Sequence, residues 1–300
     1  MKRTFVWALI AMPLLAACND DEKVNNDDNQ TSGQVTMQDI AGAWHLTLVS
    51  ADEVDADTLI IKPDGQYQYS YTLSPIEEGQ PIPFYQQLED GELTTINGNL
   101  VIDNVTMSKE RYATITDIEH AWWDTLYDRI GKDTTRISLY YGGSVMVQEY
   151  FNGPVTPTSK DVRYISMFFK QRATNLPSDK SALQGTWYWK EKGDDVTVAV
   201  RFSGDSVEVY LGRAKASLLK GAYTFKDGIV AVGKTTKYVS RDADGNDVIN
   251  PNNPFDAQWQ PIDTAKEDNF YEDGLTFAFI VNGRTAYSQF ALYSPIFIKQ

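Results

Sequence analysis

The sequence predicts an all-β protein built as two tandem halves, and three observations support this. The chain repeats itself, because "IAGAWHL" (40–46) and "LQGTWYW" (183–189) share one pattern: apolar residue, any residue, Gly, small residue, Trp. Asn-Gly and Asp-Gly pairs, which favour tight hairpin turns, separate β-prone segments in both halves. Few stretches show a helical period. Each half therefore contains about eight short strands, which suits an up-and-down barrel or a two-sheet sandwich.

The first seventeen residues are predicted to be an export signal. Lys2 and Arg3 form a basic start, and "FVWALIAMPLL" (5–15) is an apolar core too short to span a bilayer. The following "LLAAC" resembles the lipobox of bacterial lipoproteins, which implies cleavage before Cys18 and acylation of its thiol. A plain secretory signal with an incidental cysteine is the alternative. Cys18 is the only cysteine of the chain, so no intrachain disulfide can form.

Residues 18–37 are predicted to be an acidic, flexible tether, because they contain few large apolar side chains. The start "CNDDE" resembles a signal for export to the outer face of the outer membrane in some Gram-negative lineages. In other lineages an Asp near the lipidated cysteine is linked to retention at the inner membrane. We therefore expect a lipid-anchored protein of the outer membrane, displayed on the cell surface, with a periplasmic location as the alternative.

Matching strand patterns extend the repeat through both halves. "LIIKPDGQYQYSYTL" (59–73) parallels "VAVRFSGDSVEVYLG" (198–212), each with a Gly/Asp turn between two strands. "ELTTINGNLVIDNVTM" (92–107) parallels "AYTFKDGIVAVGKTTKY" (222–238) in the same way. Tyr67, Tyr69, Tyr71 and Leu73 alternate along the chain and should therefore share one face of a strand.

The repeat predicts two domains, residues 38–172 and 182–300. The segment "QRATNLPSDKSA" (171–182) between them is polar, contains a proline and lacks periodicity, as a linker does.

One motif points to a different function. Gly228–Thr235 fits the phosphate-binding pattern G-x-x-x-x-G-K-T. That loop must follow a buried strand and open a helix, because backbone N–H groups and the helix N-terminus hold the phosphates. Here the variable positions are "IVAV", which are β-prone and align with a strand of the first half. We therefore expect no nucleotide partner.

The Gly-x-Trp at the first strand of each half, Gly42 with Trp44 and Gly185 with Trp187, resembles the lipocalin-like domains of bacterial lipoproteins. The resemblance implies two tandem up-and-down barrels, and it implies that both tryptophans close a barrel floor rather than touch a ligand. A short helix is expected in the first barrel, within "ITDIEHAWWDTLYDRIG" (115–131). This helix would either pack against the barrel or form a lid that presents Trp122 and Trp123.

The sequence offers little catalytic chemistry. His45 and His120 are the only histidines, and no metalloprotease or serine-hydrolase motif is present. The loop 241–255 gathers acidic side chains around a glycine, and its Asp242, Asp244 and Asp247 are weak candidates for calcium ligands. A polar hairpin loop is the alternative, since the spacing does not fit an EF-hand. We expect no cofactor and no enzyme.

Charge narrows the range of partners. Loss of Lys2 and Arg3 with the signal changes the formal net charge from −14 to −16. We therefore expect no nucleic-acid partner, because nucleic-acid binding requires basic surfaces. We therefore predict a non-catalytic protein whose barrels bind a small apolar or glycan-derived ligand. The alternatives are a surface interaction or scaffold module with filled barrels, and then a carboxylate-dependent hydrolase.

Overall fold

A computed structural model describes residues 34–50, 53–77, 80–81, 84–112, 122–124, 131–190, 195–212, 216–250, 252–263, 269, 271–289 and 295–300. The signal, Cys18 and the tether up to residue 33 lie outside these ranges. None of the helices in the described ranges is long and apolar enough to cross a membrane.

The first half forms a closed barrel of eight antiparallel strands that follow one another around the wall in chain order. Pairing of β2 with β3 and of β1 with β10 completes the ring. Two short strands, β4 and β7, pair with β3 and β6 outside that ring. The strands are β1 (Gly42–Val49), β2 (Glu53–Ile61), β3 (Gln66–Glu77), β4 (Gln80–Pro81), β5 (Tyr85–Asn97), β6 (Leu100–Tyr112), β7 (Trp122–Asp124), β8 (Gly131–Tyr140), β9 (Val145–Phe151) and β10 (Val162–Lys170).

The second half repeats this architecture with shorter strands, and β16 and β17 lie outside its ring of eight. The barrel is closed by pairing of β11 with β20 and of β13 with β14. Its strands are β11 (Gly185–Trp189), β12 (Val198–Ser203), β13 (Ser206–Leu211), β14 (Ser217–Lys226), β15 (Ile229–Val232), β16 (Thr236–Val239), β17 (Gln260–Pro261), β18 (Leu275–Asn282), β19 (Thr285–Gln289) and β20 (Ile296–Lys299). The predicted all-β fold of two tandem barrels is confirmed.

Short helical segments lead into both barrels. Helix α1 (Met37–Ile40) precedes β1, and a 3₁₀ turn (Lys180–Ala182) precedes β11. A second 3₁₀ turn, Pro254–Asp256, lies in the long loop before β17. At the start of α1, the backbone N–H and the hydroxyl of Thr36 both donate to the carboxylate of Asp39, which holds the first turn.

The short helix of the first barrel is thus present, but its predicted position was wrong. Within 115–131 the structure describes Trp122–Asp124 and Gly131. Trp122–Asp124 form the strand β7, paired with Glu110–Tyr112 of β6. Tertiary pairing with a long neighbouring strand outweighs the helical spacing of the apolar residues here. The rest of the predicted helix lies outside the described residues.

Buried side chains form one apolar core inside each barrel and a third core between them. The first barrel's core surrounds Trp44, and the second surrounds Trp187. The third joins Val147, Ile165 and Met167 of the first barrel to Ala278 and Ile280 of the second. The two barrels therefore pack against each other through apolar outer faces, which excludes water between them.

Candidate functional site

A cavity of about 170 Å³ lies inside the first barrel. We call it the barrel-1 cavity. Its lining combines aromatic rings with carboxylate, amide and hydroxyl groups from six strands. The lining residues are Leu59, Tyr67, Tyr69, Gln87, Glu89, Leu93, Asp103, Gln148, Tyr150, Tyr164, Ser166 and Phe168. A cavity of this kind can hold a small polar molecule by hydrogen bonds.

The end of the barrel nearest α1 is apolar and filled. Trp44 is fully buried there, and its indole Nε1 donates to the Ile40 carbonyl of α1 at 2.7 Å. Leu93, Val101 and Ile137 pack in the same core. The first barrel therefore has a closed apolar floor and becomes polar only toward its other end.

Three tyrosine–aspartate pairs lie in the polar part of the barrel, and Tyr67, Tyr69 and Asp103 among them line the cavity. The hydroxyls of Tyr67, Tyr69 and Tyr71 on β3 donate to Asp103, Asp57 and Asp55 at 2.9, 2.6 and 2.8 Å respectively. The aspartates are on the neighbouring strand β2 and on β6, which is separated from β3 by β5. The one shared face predicted for the tyrosines is thus the inner face of the wall. We call these pairs the Tyr–Asp ladder.

Two carboxyl groups of the ladder are almost fully buried, which changes their acidity. Burial raises the pKa of Asp57 and that of Asp103 from 3.8 to about 6, although hydrogen bonds from Tyr69 and Tyr67 act in the opposite direction. Burial also raises the pKa of Asp55. Burial, and next the nearby aspartates, raise the pKa values of the three tyrosines, so their hydroxyls stay protonated and donate.

A β-bulge aims further polar groups at the cavity. Pairing of β5 with β6 shifts between Asp90 and Gly91, so that Thr106 is an extra residue on β6. Such an insertion reverses which side chains face inward beyond it. Ser108 consequently turns inward, where its hydroxyl donates to Glu89 Oε1 at 3.2 Å. The amide of Gln87 donates to the same oxygen at 2.6 Å.

Aromatic rings form the opposite wall. The rings of Tyr150 on β9 and Tyr164 on β10 stack with centroids 4.2 Å apart, and Phe168 meets Tyr69 edge to face at 6.4 Å. The cavity is thus flanked by carboxylates on one side and by aromatic faces on the other. Aromatic faces attract cations and also pack against the C–H faces of sugars.

Among the described residues, no lysine or arginine side chain lines the cavity. In the part of the chain that the structure describes, the ion pairs of lysine and arginine involve other carboxylates, and none involves Asp55, Asp57, Glu89 or Asp103. The same ranges contain no group of three or more His, Cys, Asp or Glu side chains that could hold a metal ion.

The interior of the second barrel is packed instead. Phe279 lies at its centre, with the rings of Trp187, Phe202, Phe277 and Phe297 at centroid distances of 5.4 to 6.1 Å. All five side chains are buried. One barrel is therefore partly hollow and the other is filled by its own side chains.

The Gly-x-Trp residues have matching structural surroundings in the two barrels. Trp187 Nε1 donates to the Leu183 carbonyl at 2.7 Å, as Trp44 does to Ile40. The ammonium of Lys299 lies 5.0 Å from the Trp187 ring centroid, and that of Lys170 lies 5.3 Å from the Trp44 ring.

The glycines of this motif adopt backbone conformations that favour glycine. Gly42 has φ +135° and Gly185 has φ +114°, and each lies against the side chain of the lysine that crosses the tryptophan. Neither glycine nor tryptophan of the motif lines the barrel-1 cavity.

The phosphate-loop match at Gly228–Thr235 is a hairpin. Asp227 and Gly228 both have positive φ, as a tight hairpin turn requires, and β15 follows at once. Lys234 pairs with Glu272 at 3.2 Å, and Thr235 is followed by the strand β16 rather than by a helix. The loop-then-helix geometry that holds phosphates is not formed.

Two of the calcium candidates, Asp242 and Asp247, accept hydrogen bonds from backbone N–H groups. Asp242 Oδ1 accepts hydrogen bonds from the backbone N–H groups of Asp244 and Asn246, both at 2.9 Å. Asp247 accepts from the Ala216 N–H at 3.0 Å and faces Arg241. These contacts are those of a polar hairpin loop.

The remaining candidates do not meet at one site. His45 lies on β1 with a buried Nδ1 that has no hydrogen-bond partner among the described residues, and it does not line the cavity. His120 and Cys18 lie outside the described residues, as do the side chains of Trp122 and Trp123.

Comparison with known proteins adds no family. No protein-family model matches the sequence. No curated protein matches it at a significant level.

The Tyr–Asp ladder is the part of the site that the sequence interpretation missed. The sequence did contain a signal for it. Asp55 and Asp57 fall on the same face of β2 as the buried Leu59 and Ile61, so acidic side chains occupy inward-facing positions. Acidic side chains at inward positions are costly unless they have partners, which marks the face as unusual.

Proposed function

We propose that the first barrel binds a small polar ligand and that the second barrel serves as its scaffold. The barrel-1 cavity carries this proposal, because it is a half-open space lined by hydrogen-bonding groups above an apolar floor. Of the two ligand classes expected from the sequence, the polar lining favours the glycan-derived one over the apolar one. The packed interior of the second barrel favours a supporting role.

The ligand we expect is rich in hydrogen-bond donors. Ionised carboxylates accept hydrogen bonds only, and the cavity is lined by Glu89 and Asp103 with Asp57 directly behind Tyr69. Sugar hydroxyls or an ammonium group would supply further donors to these carboxylates, and the Tyr150–Tyr164 stack offers an aromatic face to either. We propose binding without catalysis.

Native mass spectrometry of the protein purified from its own cells tests this function. We expect a retained small molecule with the wild-type protein. Ser166→Leu should abolish retention, because it places a bulky side chain in the cavity wall. Thr47→Leu, an exposed change on β1 of the same barrel, should retain the molecule. Wild-type protein that carries nothing, and that gives no melting shift with neutral sugars or amines, would contradict the proposal.

We further propose that lipid on Cys18 anchors the protein in the outer membrane, with the tether holding the barrels at the cell surface. The lipobox-like "LLAAC" and the acidic run after it support this location. A clickable palmitate analogue should label the wild-type protein in cells but not Cys18→Ala. Protease added to intact cells should remove a surface protein, whereas resistance until lysis would place it in the periplasm.

A further inference from the structure

The first barrel is closed by only a short contact on one side. Strand β1 pairs with β2 at all eight positions from Gly42 to Val49. It pairs with β10 at only two positions, Trp44 with Lys170 and His45 with Phe169. Beyond His45 the described residues of β1 do not pair with β10, and we call this unpaired stretch of the wall the lateral opening.

The second barrel covers this opening. Leu46 and Leu48 of β1 share an apolar core with Ala278 and Ile280 of β18. The hydroxyl of Thr276 donates to the Val49 carbonyl at 2.5 Å. We call the contact between the two barrels at this opening the lateral interface.

Hydrogen bonds at the turn after β8 add to the lateral interface. The hydroxyls of Tyr140 and Tyr287 are 2.9 Å apart. Tyr141, whose φ of 52° is rare for a bulky residue, donates its hydroxyl to the Val281 carbonyl at 2.9 Å. The Asn175 amide donates to the Tyr141 carbonyl at 2.5 Å, so the linker also holds this turn.

One side chain of the second barrel continues through the lateral interface to the Tyr–Asp ladder. Gln289 of β19 donates from Nε2 to Asp57 Oδ2 at 3.4 Å. The other oxygen of Asp57 accepts from Tyr69, and Tyr69 lines the barrel-1 cavity. Gln289 Oε1 is buried and has no hydrogen-bond partner among the described residues. Two hydrogen bonds in series thus link the second barrel to the cavity.

We propose that the second barrel completes the wall of the first, and that Gln289 is a positioning residue for the barrel-1 cavity. It fixes Asp57, which in turn holds the ring of Tyr69 against the cavity. The two barrels therefore act as one binding unit rather than as two independent domains. This inference extends the proposed function, but its tests need no ligand.

Asp57 provides a direct readout of this contact. The groups that face it are Tyr69 on β3, Asp55 on its own strand and Gln289 across the interface. Burial raises its pKa to about 6, and the hydrogen bonds from Tyr69 and Gln289 counteract that rise. Loss of the Gln289 donor should therefore raise the pKa of Asp57 further.

The first experiment follows the Asp57 carboxyl carbon of the full chain by NMR during a pH titration. Gln289→Leu should raise the pKa of Asp57 by about 0.5 or more, as the loss of one donor predicts. Tyr287→Phe removes the Tyr140 contact in the same interface without touching Asp57, and it should leave that pKa unchanged. An unchanged pKa in Gln289→Leu, or an equal rise in both variants, would overturn the positioning role.

The second experiment measures hydrogen exchange by mass spectrometry. Ile280→Ala removes apolar contact at the lateral interface, and we expect at least fivefold faster exchange in β9 and β10 of the first barrel. Val230→Ala removes buried methyl groups inside the second barrel, and it should act mainly on β14 and β15. Faster exchange confined to the second barrel in Ile280→Ala would overturn the completed wall. Neither experiment depends on the mass-spectrometric search for a ligand, so the two proposals can fail separately.

Discussion

Asp57 and Asp103 show that single residues of the first barrel are placed at a cost to stability. Each is a carboxyl group with less than a tenth of its surface exposed, and each has a pKa near 6. A protein selected for stability alone would use apolar residues here, as the second barrel does. The buried carboxyls are consistent with the binding role that we propose, and their cost to stability can be measured.

Asp103→Asn should stabilise the protein at neutral pH. Burial raises the pKa of Asp103 in the folded state from 3.8 to about 6. The stability that protonated Asp103 contributes is therefore fully present below pH 3.8 and is lost as the pH rises through 6. Asparagine mimics the protonated form and can still accept from Tyr67. Urea denaturation at pH 7.5 should show a gain of up to about 2–3 kcal/mol, which vanishes near pH 4.

The exposed Asp244 gives the matching control, because its side chain lies in a surface turn of the second barrel. Asp244→Asn should change the free energy of unfolding by less than about 0.5 kcal/mol at either pH. A gain for Asp103→Asn that is the same at pH 4 and pH 7.5 would show that ionisation of Asp103 is not its cause.

At the scale of elements, strand β1 and the turn that precedes it form a recurring unit. In the second barrel the indole of Trp187 ties β11 to the carbonyl of Leu183, and Lys299 of the last strand crosses the ring. Trp187→Phe removes the N–H donor and part of the buried ring. We expect a loss of about 1–3 kcal/mol in thermal or urea unfolding.

A second tryptophan of the same strand provides the comparison. Trp189 packs only at the edge of the second barrel's core and is partly exposed. Trp189→Phe should cost clearly less than Trp187→Phe. Equal losses of stability in the two variants would mean that the hydrogen bond from Trp187 to Leu183 contributes no stability of its own.

The approach of β5 to β3 depends on one glycine. A Cβ at Gly91 would lie 2.5 Å from the ring of Tyr67, which the ladder holds in place. Gly91→Ala should therefore displace Tyr67 and destabilise the protein by about 1–3 kcal/mol. Urea unfolding gives the energy, and the NMR signals of Tyr67 report its displacement.

Gly233 is the matched control for this substitution. A Cβ there would meet its nearest atom, the Ala222 carbonyl oxygen, at 3.8 Å. Gly233→Ala should be neutral or stabilise the protein by about 0.4–1 kcal/mol. If both alanine variants change the free energy of unfolding equally, a clash with Tyr67 is not the reason why position 91 requires glycine.

At the scale of the whole molecule, the two barrels share a topology but differ in filling. Enlarging an inward-facing side chain should therefore change the stability little in the first barrel and lower it clearly in the second. Ser166→Leu fills part of the barrel-1 cavity and should change the free energy of unfolding by less than about 1 kcal/mol. Ala286→Leu overpacks the fully buried core of the second barrel and should cost about 1–3 kcal/mol or more.

Urea denaturation of both variants checks this contrast. Thr47→Leu and Lys226→Leu, on the exposed outer surfaces of the first and second barrels, control for the added apolar side chain. A large loss in Ser166→Leu would mean that the space beside Ser166 cannot accept a side chain.

Local patterns in the sequence determined the strands, the hairpin turns and the repeat. Alternation at Tyr67, Tyr69 and Tyr71 and the turn at Asp227–Gly228 depend on neighbours in the chain, so they could be read from it. The repeated Gly-x-Trp placed both first strands correctly. The helix predicted around Trp122 failed because Trp122–Asp124 pairs with β6, a contact that the local helical spacing does not record.

The contents of the barrels were decided only by the tertiary structure. Which aspartate meets which tyrosine depends on strand register, because a one-residue shift reverses every side chain. The Thr106 bulge decides in turn that Ser108 faces Glu89. The contact of Gln289 with Asp57 joins residues far apart in the chain, and it exists only because the barrels dock. Sequence patterns record which residues prefer to be inside, whereas packing in three dimensions decides whether that inside is full or hollow.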